Sequence, residues 1–124
     1  MAKRWTITVR DGPRVQRAHF DSLRAAIDAM QQRLKELEPK ADREVVQVLQ
    51  RKFEPARQVV ARAEVSGPGG FWSSVHGGVD LRGDGSSEAY TGHVRRSLVA
   101  LRAGEDAFDG LRRALGEQTA GLSR

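Results

Sequence analysis

The sequence predicts an α+β fold: an N-terminal β-hairpin, one or two helices, a three-stranded antiparallel meander and a C-terminal helix. Three observations predict it. Trp5, Ile7 and Val9 alternate with Thr6, Thr8 and Arg10 ahead of Asp11-Gly12-Pro13, the pattern of a half-buried strand running into a turn. Leu23, Ile27, Met30, Leu34 and Leu37 recur at spacings of 4, 3, 4 and 3, which is one apolar stripe of a helix. Asp84-Gly85 separates two further alternating segments, a hairpin signal because the turn needs positive φ.

The first hairpin covers residues 5–20, with Arg14–Phe20 as its return strand. Two registers are open. A three-residue loop sets Val15 opposite Val9 and Arg17 opposite Ile7; a four-residue loop sets Phe20 opposite Trp5 and Ala18 opposite Ile7. Asp21 or Ser22 caps the first helix, and Pro39 stops it, since proline lacks the N–H and crowds the preceding turn. Residues 42–54 suit a second helix with Val45, Leu49 and Phe53 inward, ending at Pro55, although the β-branched cluster Val45, Val46 and Val48 also suits a strand.

Residues 57–65 form the next strand, with Val59, Ala61, Ala63 and Val65 on one face. Gly67-Pro68-Gly69-Gly70 breaks it. Strands then run from about Phe71 to Arg82 and from about Ser87 to Leu101. With Asp84 and Gly85 as a two-residue loop, Val79 faces Tyr90, Val75 faces Val94 and His76 faces His93. Val75, Val79, Leu81, Tyr90, Val94 and Leu98 then share one face, while Ser74, His76, Asp80, Arg82, Thr91, His93 and Arg95 share the other. If the glycine loop sets Ala63 opposite Val75, Arg62 lies beside His76 with Trp72 near the same rim. The last helix spans about 105–115. Glu105 and Asp106 stand at its start and Arg112 and Arg113 near its end, matching the macrodipole; Gly116 follows as a C′ residue. Gly110 weakens it by about 1 kcal/mol unless the helix packs closely there. Residues 1–116 read as a single domain and 117–124 as a flexible tail.

Length and composition narrow the function. The chain has 124 residues, 39% of them hydrophobic and 30% charged, enough for one ordinary core. The absence of cysteine excludes disulfides, thiol nucleophiles and zinc ribbons. No apolar run reaches membrane-spanning length, and the first twenty residues are unlike a secretory signal, so a cytoplasmic location is expected. Net charge is +5. Residues 1–20 hold five cations (Lys3, Arg4, Arg10, Arg14 and Arg17) against one acid, Asp11. A concentrated basic patch attracts polyanions by phosphate contact and counterion release.

Three constellations stand out. The basic hairpin resembles a ribbon that carries Arg10, Arg14 and Arg17 at or near its tip. On the second sheet, Arg62, His76, His93 and Arg95 with Trp72 combine cations and a stacking ring, the pairing that single-stranded nucleic acid uses. His76 and His93, with Asp80 on the same face, are candidates for a metal, although Asp80 stands about 13 Å along the strand from His76, too far to share one ion with it. No phosphate-cradling loop, zinc-protease helix or nucleophile elbow is present. Arg82-Gly83-Asp84 reads as the end of a strand and the start of a turn.

By topology, Trp5 through Phe20 followed by a helix resembles the arm-type DNA-binding module of tyrosine recombinases. The order strand, helix, three strands, helix is similar to ribosome hibernation-promoting factors. Neither resemblance carries a diagnostic motif, so no family is assigned and no functional residue is carried over. The sequence therefore leads to an expectation of a small, basic, non-enzymatic nucleic-acid-binding protein with no cofactor. Its site residues are Lys3, Arg4, Arg10, Arg14, Arg17, Arg62, Trp72 and Arg95. The alternatives are a self-assembling homo-oligomeric protein and a metal-dependent enzyme built on His76 and His93.

Overall fold

The N-terminal hairpin closes more tightly than either loop length predicts. β1 (Trp5–Asp11) and β2 (Arg14–Phe20) pair antiparallel with Trp5 opposite Phe20 and Ile7 opposite Ala18. That is the second register, but Asp11 already pairs with Arg14, leaving only Gly12, at φ +57°, and Pro13 as the loop. These strands belong to a computed structural model that describes residues 4–50, 59–69, 73, 75–93 and 95–122, with side chains excepted at 38–50 and 120–122. Phe71, Trp72, Ser74, Val94 and Lys3 lie outside the described residues, as does the 51–58 part of the chain.

α1 (Leu23–Gln50) begins at Ser22, whose Oγ accepts the Ala25 N–H at 3.1 Å. Ala26, Ile27, Met30 and Leu34 are buried on its inner face, with Leu23 and Leu37 partly so. The predicted stop at Pro39 is not observed: one helix continues to Gln50. A proline removes a single N–H from the ladder. Its neighbours Leu37, Glu38, Lys40 and Ala41 are strong helix formers, and the helix propagates past the gap. The first part of the 42–54 segment is thus helical but does not start a second helix; its end, with Phe53 and Pro55, lies outside the described residues.

β3 (Val59–Ser66) inserts between β1 and β4 (His76–Arg82), and β5 (Ser87–Thr91) follows. Ala61, Ala63 and Val65 face the core as predicted, but Val59 is exposed, because the register shifts between Val59 and Ala61. Ala63 pairs with Val79 and not Val75, so Arg62 stands opposite Asp80 and His76 opposite Ser66.

The β4–β5 register also differs by one residue from the predicted one. Val79 faces Ala89, and Tyr90 faces Gly78. The loop has three residues, not two. The Arg82 N–H donates to the Ser86 carbonyl at 2.8 Å, and Gly85, at φ +86°, donates to the Arg82 carbonyl at 2.9 Å. Asp84 Oδ1 accepts both the Ser86 N–H and its hydroxyl, at 2.9 and 2.5 Å. The Asp84 side chain organises the turn in place of a second left-handed residue. A slip of one residue exchanges faces, so Tyr90 leaves the predicted core set.

The predicted third meander strand is two strands. β5 ends at Thr91; Gly92 takes φ +96°, where a Cβ would stand 2.1 Å from the Arg95 carbonyl oxygen. The chain reverses there, and β6 (Ser97–Leu98) returns beside β5 with Leu98 opposite Tyr90. The result is one six-stranded antiparallel sheet in the order β2-β1-β3-β4-β5-β6.

α2 (Ala107–Leu122) starts at Asp106, which accepts the Asp109 N–H at 2.8 Å while Asp109 accepts the Asp106 N–H at 3.2 Å. This is the reciprocal arrangement of a capping box. Gly116 lies inside the helix, not at its end, so Arg112 and Arg113 are mid-helix and act through partners instead of the macrodipole. Arg112 donates to Asp28 at 2.6 Å and Gln31 at 2.9 Å, tying α2 to α1. Arg113 donates to both oxygens of Glu105 and to the Ala100 carbonyl, pinning the approach to the helix. The Arg113 hydrogen bonds, aided by the Arg102 N–H, hold the Glu105 carboxyl down at about 2. Gly110 does pack closely: a Cβ there would meet Leu101 Cδ2 at 2.5 Å.

Both helices cover the same face of the sheet. Trp5, Ile7, Val9, Ala61, Ala63, Val65, Val79, Leu81 and Ala89 meet Ile27, Met30, Leu34, Phe108, Leu111 and Leu115 in one apolar cluster. Gly77 sets how near α2 comes. A Cβ at Gly77 would lie 2.9 Å from both Leu111 Cδ1 and the Tyr90 carbonyl oxygen. Gly77→Ala is expected to destabilise the protein by about 1–3 kcal/mol through overpacking, measured as a lower urea midpoint with an unchanged m-value.

Candidate nucleic-acid interface

No helix of the described residues covers the other face of the sheet, and the register sorts its side chains into three rows. One row crosses His19, Thr6, Ser66 and His76. His93 closes it, its ring centroid 4.7 Å from that of His76 at an interplanar angle of 35°. All three histidines of the chain therefore stand along one edge of this face. The second row crosses Arg17, Thr8, Glu64, Gly78 and Tyr90; the third crosses Val15, Arg10, Arg62, Asp80 and Glu88.

The third row is largely self-neutralised. Arg62 donates from Nε to Asp80 Oδ1 at 2.5 Å and from Nη2 to Oδ2 at 3.1 Å. This bidentate bond to the buried Asp80 raises the Arg62 pKa further. Arg82 likewise bonds Glu88 at 2.7 Å. Arg62, one of the predicted nucleic-acid-binding residues, thus directs two of its five N–H donors to Asp80.

The second row holds the only tyrosine. Tyr90 is 4% exposed although it lies on the uncovered face. Its ring lies over Gly78, where a Cβ would stand 2.5 Å from the tyrosine Oη and 2.7 Å from the Ala63 carbonyl oxygen. The Arg96 guanidinium sits 4.7 Å from the ring centroid and that of Arg62 5.9 Å, a geometry that favours cation–π attraction. The Tyr90 hydroxyl is buried with no hydrogen-bond partner among the described residues. Burial pushes its pKa up to about 12, with the nearby Glu64 charge acting in the same direction.

These rows bound a cleft of about 270 Å³. Arg10, Arg17 and Arg96, with His76 and His93, line it; Glu64 is its one carboxylate among the described residues, and Thr6, Thr8 and Ser66 supply hydroxyls. Arg10 and Arg17 have no carboxylate partner among the described residues, and Arg96 reaches Glu64 only at 3.9 Å.

The predicted site residues thus divide. Arg10 and Arg17 come together in the cleft. Arg14 pairs with Asp11 on the helix-covered side, beside Arg33 and Glu36, so it does not join them. Arg4 is exposed ahead of β1, and Arg95 is exposed in the β5–β6 turn outside the cleft lining. Lys3 and Trp72 lie outside the described residues. Arg96, Glu64 and Tyr90 are cleft residues that the sequence reading missed; counting three residues in the Asp84 loop would have turned Tyr90 toward this face. His76 and His93 do meet, but Asp80 is held by Arg62 in a different row. Among the described residues no three His, Asp or Glu side chains converge on a metal position.

No helix of the described residues is long and apolar enough to cross a membrane. Comparison of the chain with protein-family models, curated proteins and solved structures gives no match.

The single tyrosine makes its environment measurable. Absorbance titration of the native protein is expected to show phenolate forming near pH 12 instead of near the ordinary 10. The native pKa is raised, so this contribution to stability is complete below pH 10 and is lost between about pH 10 and 12. A phenolate midpoint near 10 in the folded protein would contradict a desolvated ring.

Proposed function

We propose that this protein is a small, basic, non-enzymatic nucleic-acid-binding protein that holds a single strand on the uncovered face of its sheet. The observation that carries this reading is the grouping, among the described residues, of three guanidiniums and two imidazoles around one cleft against a single carboxylate. Phosphate contacts by arginine supply most of the sequence-independent affinity for nucleic acid. The cations flank the cleft: Arg10 and Arg17 on β1 and β2, Arg96 beyond β5. From β1 to β5 the sheet spans three strand spacings, or about 14 Å. A strand lying across the face meets arginine at both margins and polar side chains and a tyrosine between them, the arrangement that suits splayed bases. The hairpin tip serves this less well, because its arginines point to opposite sides.

Charge reversal separates the two faces. Arg10→Glu with Arg17→Glu is expected to weaken binding to single-stranded oligonucleotides by about tenfold or more. It should also flatten the slope of log K against log salt by about 1.4, two phosphates at about 0.7 each. Arg14→Glu, which changes the hairpin charge on the other side, should have a much smaller effect. Equal losses in both variants would reject the sheet face as the binding surface.

One observation favours a second reading, self-assembly through a sheet edge. Leu98 on the short edge strand β6 is 68% exposed, and Leu101 just beyond it is 48% exposed. Light scattering showing a concentration-dependent dimer that Leu98→Ser abolishes would support it; a monomer throughout the micromolar range would reject it.

A further inference from the structure

We infer that Glu64, Tyr90 and Arg96 form a base site selective for guanine within this cleft; the inference rests on the nucleic-acid reading. A carboxylate in the middle of a surface that attracts phosphate opposes that attraction, so Glu64 needs another use. It is only partly covered, and its nearest cation, Arg96, is 3.9 Å away, beyond hydrogen-bonding distance. Its two oxygens therefore remain able to accept a pair of parallel N–H donors. Among the bases, only guanine presents two adjacent donors, N1–H and N2–H, on its Watson–Crick edge. Adenine and cytosine each set one amino group beside an acceptor, and uracil flanks its single N–H with two carbonyls.

The stacking surface stands beside this carboxylate. Tyr90 reaches from β5 over Gly78 toward β3, which brings the ring end near Glu64. The ring face away from the sheet is occupied by the Arg96 guanidinium at 4.7 Å. Arg96 is itself 39% exposed, so a base can take its place against the ring while the guanidinium moves onto the base or an adjoining phosphate. Both arrangements keep a cation over a π-face. The cleft of about 270 Å³ lies close to the lower end of the size range of small-molecule sites, about 300 Å³.

The test uses the full-length protein and labelled single-stranded RNAs of nine residues: all uridine, one central guanosine in uridine, and one central adenosine in uridine, with the DNA equivalents alongside. The guanine oligomers are expected to bind about fivefold tighter or more than the other two. Glu64→Gln should level the three affinities without weakening the all-uridine oligomer, and its thermal melt should match that of the parent. Guanosine monophosphate that displaces the oligomer where adenosine monophosphate does not would support the same site acting on the free nucleotide. Equal binding of all three oligomers, or a guanine preference that survives Glu64→Gln, would overturn the guanine site and leave strand binding standing. Failure of every oligomer to bind would overturn strand binding and the base site with it.

Discussion

Two successive glycines in β4 set how closely each face of the sheet is packed. Alternation along a strand sends positions 77 and 78 to opposite faces. On the inner face a Cβ at Gly77 would strike Leu111, and on the outer face a Cβ at Gly78 would strike the Tyr90 hydroxyl and the Ala63 carbonyl. Glycine in a strand costs about 0.5–1 kcal/mol relative to alanine. Here that cost is offset on one side by the complete burial of Leu111 and Leu115 and on the other by the near-complete burial of Tyr90. The depth of the helix layer and the position of the tyrosine are therefore consequences of the same two residues. The shifted pKa of Tyr90 is a third, because a ring held flat against bare backbone loses its contact with water.

A sheet that the described helices cover on one side must make its other side compatible with solvent where it is exposed, so polarity there is ordinary. What distinguishes this face is how the charges are matched. Asp80 and Glu88 are each bonded to an arginine at hydrogen-bonding distance, and that corner carries little net field. Elsewhere in the molecule Arg112 and Arg113 are tied to Asp28 and Glu105, where they join the helices and brace a loop. The guanidiniums of Arg10 and Arg17 are left without such partners in the described residues and face the same cleft. Part of the formal excess of +5 is thereby directed to one surface.

Much of the architecture was legible in residue spacing. The stripe from Leu23 to Leu37, the alternation of β1 and the Asp106 start of α2 all express strong local preferences. The failures have local causes too. Pro39 marks a weak point in a helix and not its end, because one missing donor does not outweigh good helix formers on both sides. Asp84-Gly85 suggests two left-handed residues, but the Asp84 carboxylate supplies by hydrogen bonding what a second such residue would have supplied by backbone conformation. That choice moves the register by one, and with it Tyr90 changes from a core residue to part of the cleft floor. Gly92 gave a turn signal too short to interrupt an otherwise plausible strand. The site was less legible than the fold for this reason: which residues face the cleft depends on the parity of each register.

Parity also explains why a basic segment in sequence is not a basic patch in space. Arg10, Arg14 and Arg17 lie within one hairpin, yet the pairing of Asp11 with Arg14 and of Thr8 with Arg17 puts Arg14 on one face and the other two on the opposite face. The partner these two acquire, Arg96, comes from the far end of the sheet, and Glu64 comes from the strand inserted between the halves. The cleft consequently exists only when β1 has paired with β3 and β3 with β4, contacts between segments remote in sequence. A ligand that bridges Arg17, Glu64 and Arg96 binds the folded sheet and has nothing equivalent to hold in the unfolded chain. Its binding energy is then also stabilisation energy, and it acts across the long-range strand pairings, not on the helices, which are stabilised mainly through their buried face.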